Sequence, residues 1–97
     1  MRRVRAGKAR SRESGYIVTW DVDSLDKTTS NRLFYFVFGH TVRSNGQTYR
    51  YPGFVERDGV RYLGQSVVFV GPHQIGELTR FLGRNRVDHD CVAATLG

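Results

Sequence analysis

Gly15-Tyr16-Ile17-Val18-Thr19-Trp20-Asp21-Val22-Asp23-Ser24-Leu25-Asp26 opens as a strand and closes as a turn. Residues 16–22 are rich in β-branched and aromatic side chains, which suit a pleated, half-buried surface. A period of two puts Tyr16, Val18, Trp20 and Val22 on one face and Ile17, Thr19, Asp21 and Asp23 on the other. The first set can bury a core. The second ends in two carboxylates at the strand's exit. A carboxylate at the end of a buried strand needs a cation, a hydrogen-bond donor or a function to offset its desolvation.

Downstream, residues 23–30 cluster side chains that cap helices, with Ser24, Asp26 and Thr28 the best candidates. Residues 31–40, NRLFYFVFGH, read as a helix with Leu33, Phe36, Val37 and His40 on one side and Gly39 near its end. The alternative is a buried strand over 33–38. Residues 41–48 are turn-rich around Asn45-Gly46. Residues 49–57 and 60–70 then read as the two arms of a hairpin around Asp58-Gly59, with Pro52 confining the first arm to a sheet edge. Gly71-Pro72 opens a second helix whose apolar face is Ile75, Leu78, Phe81 and Leu82, and Gly83 is placed to end it. Residues 87–96 read as a last strand.

Strand, helix, hairpin, helix, strand, joined by right-handed crossovers, predicts an α+β ferredoxin-like βαββαβ plait. Its four-stranded antiparallel sheet carries both helices on one face. The sheet's other face is left uncovered, and in 97 residues such a face pairs with a second copy or binds something. No apolar run approaches the roughly 20 residues that cross a bilayer, and the basic start lacks the apolar stretch of a secretory signal. No membrane partner is therefore expected. A single cysteine, Cys91, fits a reducing, cytoplasmic setting and reads as a buried thiol.

The net charge of +6 is unevenly placed. Residues 1–14 read as a flexible basic arm ahead of a domain over 15–97. Arg2, Arg3, Arg5, Lys8, Arg10 and Arg12 carry the arm's charge, and residues 1–12 contain no acid. The other nine Lys/Arg and all nine Asp/Glu lie in residues 13–97 and cancel. An acid-free basic arm can neutralise phosphates by counterion release and speed encounters with DNA or RNA. A neutral body with such an arm does not look like a domain that reads base sequence. Arg32 joins the arm as a candidate phosphate contact from the body.

Ile17-Val18-Thr19-Trp20-Asp21-Val22, then Asp26-Lys27 and Asn31-Arg32-Leu33, resembles the opening of the CRISPR-associated Cas-two family and its virulence-associated protein D-like relatives. These are small ferredoxin-like dimers. Gly64–Gly71 is similar to the family's segment before the second helix. It keeps Gln65, Val68, Phe69 and Gly71, but has Val67 in place of a serine and Val70 in place of a glutamate. The insertion over 41–60 is longer than the family usually has. The resemblance covers about residues 16–96 and implies a homodimer acting in CRISPR or toxin-like defence. Asp21 matches the catalytic aspartate that, paired across the dimer, holds Mg2+ or Mn2+ for endonuclease cleavage of a phosphodiester. It also admits a non-catalytic scaffold that binds DNA beside a CRISPR integrase during spacer integration.

Other candidates have plainer readings. Asp23 is a turn former, and strand alternation separates His89 from Asp88 and Asp90. His40 and His73 read as a helix-end and a helix-start residue. RNA-recognition motifs share the strand order, and residues 61–69 loosely echo their third strand. That reading needs Trp20 or Tyr16 to point outward, against the alternation.

Overall fold

The computed structural model describes residues 13–23 and 25–96. In chain order these form β1 (Glu13–Asp21), α1 (Lys27–Phe38), β2 (Gly39–Ser44), β3 (Gln47–Pro52), β4 (Val60–Gly64), β5 (Val67–Val70), α2 (Ile75–Arg84) and β6 (Asp88–Leu96), with a short 3-10 turn at Phe54–Glu56. The main sheet is antiparallel in the order β4-β5-β1-β6, the order of a ferredoxin-like plait. β1 is central, pairing Val18 with Val68 of β5 and with Cys91 of β6.

The alternation along β1 holds. Val18 is fully buried, and Tyr16, Trp20 and Val22 pack around the same core. Val68 and Val70 of β5, Leu33 and Val37 of α1, and Leu78 and Leu82 of α2 complete it, so both helices cover one face. A stack of rings ties the helical layer together: Phe36 lies 4.0 Å from Phe81 and 5.2 Å from Phe54, centroid to centroid. Burying these aromatic and aliphatic groups is the main stabilising term for a chain this short.

α1 begins at Lys27, earlier than residues 31–40 suggest, because the Asp26 carboxylate accepts the Thr29 N–H at 3.0 Å and caps it. The helix stops where Gly39 takes φ 80, a conformation other residues avoid, and His40 passes into β2. α2 runs through Gly83 to Arg84, and Asn85 caps its end with a side-chain bond to the Phe81 carbonyl.

The middle of the chain departs from the expected hairpin. Residues 60–70 are two strands, not one, and the chain reverses at Gln65-Ser66 with Ser66 at φ 63. The plait's hairpin is therefore β4–β5, and Asp58-Gly59 only leads into it. Gln-Ser lacks the usual turn chemistry, so pairing of β5 with both β4 and β1 overrides local propensity. Residues 41–48 are not a plain turn region either. They supply β2, the turn and the start of β3, with Asn45-Gly46 at φ 54 and 77 forming the tight turn.

This additional hairpin is fastened at its base. Gly53 lies against the backbone of Val37, Phe38 and Gly39, where a Cβ has no room. The Arg50 guanidinium meets Glu56 at 2.7 Å and reaches the Phe38 carbonyl at 3.4 Å, while Glu56 also accepts the Gly53 N–H at 2.6 Å. Replacing Gly53 with Ala should cost about 1–3 kcal/mol by overpacking. Gly64→Ala, which meets nothing within 4 Å, should cost far less. Urea unfolding of the two variants measures the difference, and equal losses would contradict the close-approach argument.

Candidate functional site

The register of β1 lays out the face that the helices leave open. Asp21 stands opposite Asp88, Thr19 opposite Asp90 and Ile17 opposite both Phe69 and Val92. One end of this face is thus acidic. Asp21, Asp88 and Asp90 are all exposed there, and with Thr19 they line a shallow cavity of about 460 Å³. Like charges directly across a strand pair oppose folding, so this end carries a small electrostatic cost. At the other end, Glu13 holds Arg61 in a two-pronged ion pair at 2.8 and 2.6 Å. Between them Ile17 is half-buried, Phe69 is buried against Gly15, and Val92 is 62% exposed.

The remaining predicted residues fall as follows. The Asp23 carboxylate accepts the Leu25 N–H at 2.9 Å, so it forms the turn. His89 pairs with Trp20, with Nδ1 2.8 Å from the Val87 carbonyl, and at the sheet's edge both also line the cavity of the three acids. Cys91 is exposed, correcting the expectation of a buried thiol; it sits on β6, an edge strand that is mostly exposed. His73 lies in the turn before α2. Arg32 projects from α1 and donates to Asn85 at 3.4 Å. Arg2, Arg3, Arg5, Lys8, Arg10 and Arg12 lie outside the described residues. β1 begins at Glu13, inside the stretch assigned to the arm.

Whether these residues fit a divalent metal can be judged from the donors. Among the described residues, no group of three or more His, Cys, Asp or Glu side chains converges on one point. Asp21 and Asp88 offer hard oxygen donors, but one protomer does not assemble them into a cage. A single chain therefore offers carboxylates on paired strands and not a complete set of magnesium ligands among the described residues.

The domain's charges are segregated by element. Residues 27–55 contain Lys27, Arg32, Arg43 and Arg50 and no Asp or Glu. Three of the domain's arginines are neutralised in ion pairs: Arg50 with Glu56, Arg57 with Glu77 and Arg61 with Glu13. Sequence reasoning missed a second surface on the acid-free stretch. Phe34, Tyr35 and Tyr51 there, and Tyr62 of β4, are each about half exposed. The available signal was that Phe34 and Tyr35 fall off the apolar stripe of α1 that Leu33, Phe36 and Val37 define.

No protein-family model matches the chain, and no curated protein or solved structure matches it. Among the described residues, no helix is long and apolar enough to cross a membrane.

Two carboxylates of the domain are held below their ordinary range. The backbone N–H of Thr29 lowers Asp26, and the hydrogen bond from Arg61 lowers Glu13. A carboxylate with a depressed folded-state pKa contributes stability that is fully present above its ordinary value. That contribution is lost as pH falls through the lower folded value. The ordinary values are 3.8 for Asp26 and 4.5 for Glu13, so the loss should begin near there and continue into stronger acid. Thermal melting across the acid range should show this decline. The double variant Asp26→Asn, Glu13→Gln should flatten it, and an unchanged acid slope would remove these groups from the account.

Proposed function

We propose that the protein binds nucleic acid as a homodimer, its basic arm supplying most of the phosphate contacts. The observation that carries this reading is the placement of charge. Residues 1–12 hold six cations and no acid, while the rest of the chain is balanced. Three ion pairs within the domain reduce its own capacity to attract phosphate. A polyanion then gains most from the arm, through counterion release. The domain is the arm's carrier and, by pairing, doubles it. Support for pairing comes from the open sheet face, where Ile17 and Val92 sit side by side, and from β6, whose outer edge has no strand partner among the described residues.

The resemblance to the Cas-two family agrees with this reading, in the form of a scaffold that binds DNA, or of a relative that binds RNA. A second reading is endonuclease activity, with one Asp21 from each protomer sharing Mg2+ or Mn2+. It is favoured by one feature: Asp21 is exposed at the end of β1 on the open face, where a second copy can bring its own Asp21.

Deleting residues 1–12 should weaken binding to DNA or RNA and flatten its dependence on salt. Each lost phosphate contact should lower the log–log slope by about 0.7 to 0.9, according to strandedness. Fluorescence anisotropy over a salt series measures it, and an unchanged slope would remove the arm. In the same protein, Asp21→Asn should leave arm-mediated binding intact. Metal-dependent cleavage by the wild type that is lost in Asp21→Asn would establish the second reading in place of a pure scaffold.

A further inference from the structure

We infer that a strip of exposed rings along α1 and the β2–β3 hairpin is a stacking platform for single-stranded nucleic acid. This rests on the nucleic-acid reading above and specifies the strandedness of the ligand and the face it occupies. The strip is continuous. Tyr51 stacks on His40 at 5.0 Å, and His40 meets Tyr35 at a tilt, 4.7 Å between centroids. Tyr35 meets Phe34 edge-on at 6.5 Å, Phe34 lies 5.0 Å from Phe38, and Phe38 meets Tyr62 of β4 at 5.2 Å.

These rings lie on four different elements, α1, β2, β3 and β4, and their alignment is built rather than incidental. The Gly39–Gly53 approach and the Arg50–Glu56 pair set the hairpin against the end of α1, which brings His40 and Tyr51 beside Tyr35. Tyr35, Phe34, Tyr51 and Tyr62 remain 48–57% exposed, so each offers part of its surface to a ligand. Exposed aromatic surface of this extent marks an interaction site on a small domain.

Charge selects the partner. The strip runs along the stretch 27–55, which carries four cations and no acid. Lys27, which shares the α1 face of Phe34 and Phe38, forms no ion pair among the described residues, whereas Arg43 alternates to the other face of the hairpin and Arg32 turns toward Asn85. A phosphate can meet Lys27 while bases lie on the rings, and stacking of this kind binds single strands without strict sequence preference. The opposite face, with Asp88 and Asp90 exposed, repels phosphate. A duplex keeps its bases stacked inside and cannot use the rings.

At its α1 end the strip enters a cleft of about 510 Å³ between α1, the end of β1 and the β4–β5 turn. Phe34, Phe38 and Tyr62 form its apolar rim, and Ser30, Gln65, Ser66 and the Asp21 carboxylate at its β1 end supply polar groups. An unstacked base fits such a site: its faces meet rings, and its edge meets hydroxyl and amide partners.

The test uses the full chain, a fluorescently labelled oligothymidine strand and a duplex of matched length. Wild type should bind the single strand more tightly than the duplex. The double variant Tyr35→Ala, Tyr51→Ala should weaken single-strand binding by about 5- to 150-fold for each stacked base lost, leaving duplex binding unchanged. Tyr35→Phe with Tyr51→Phe should retain wild-type affinity, since the rings remain. Two results would overturn the inference while leaving arm-mediated binding standing. One is equal single-strand affinity in the Ala variant and wild type. The other is a change in oligomeric state by light scattering with no change in affinity, which would make the strip a self-association surface. Failure of wild type to bind either probe would overturn both this inference and the reading beneath it.

Discussion

The pairing of β1 on both sides is the constraint from which the rest follows. Hydrogen-bonded to β5 and β6, this strand cannot rotate, so its alternating side chains are committed to opposite faces. Val18 goes into the core beneath both helices, and Ile17, Thr19 and Asp21 are left on the open side. A one-residue slip would bury Asp21 and expose Val18. The desolvation cost of that exchange holds the register. The acidic end of the open face is thus a consequence of the core, since Asp88 and Asp90 are placed beside Asp21 by the same pairing.

The two sides that result differ in chemistry. The open face is apolar in the middle, acidic at one end and closed by the Glu13–Arg61 pair at the other. Beyond the helical layer, the acid-free stretch carries exposed rings and cations, extended by a hairpin that the plait itself does not require. Self-association and polyanion binding ask for different surfaces, and here they need not compete. The open face suits a second copy of the chain. The ring strip and the arm suit phosphates and bases.

Much of this was legible in residues 16–22, whose period of two is strong because the face it buries is apolar throughout. The cap at Asp26 and the apolar face of α2 were legible for similar local reasons. The break at Gln65-Ser66 was not. Those residues include no Gly or Asn to favour positive φ, yet Ser66 takes it where β4 and β5 pair. The inserted hairpin was missed because 41–44 are exposed throughout and carry no apolar run, so the strand read over 49–57 lacked its partner although Asn45-Gly46 marked the turn. Asp21 was placed correctly on the open face, but its neighbours Asp88 and Asp90 join it only through the register of β1 with β6. The ring strip is the hardest case. Its members come from 34–38, 40, 51 and 62, and no local pattern announces that they meet.

The central claim is that nucleic acid meets the acid-free side and avoids the open sheet. Amide shift mapping of the isotope-labelled full chain, titrated with oligothymidine at low salt, addresses it most directly. The account predicts perturbations concentrated in α1, β2 and β3 and around Tyr62, with Ile17, Thr19, Asp90 and Val92 unmoved. Perturbations centred on those four residues instead would contradict it.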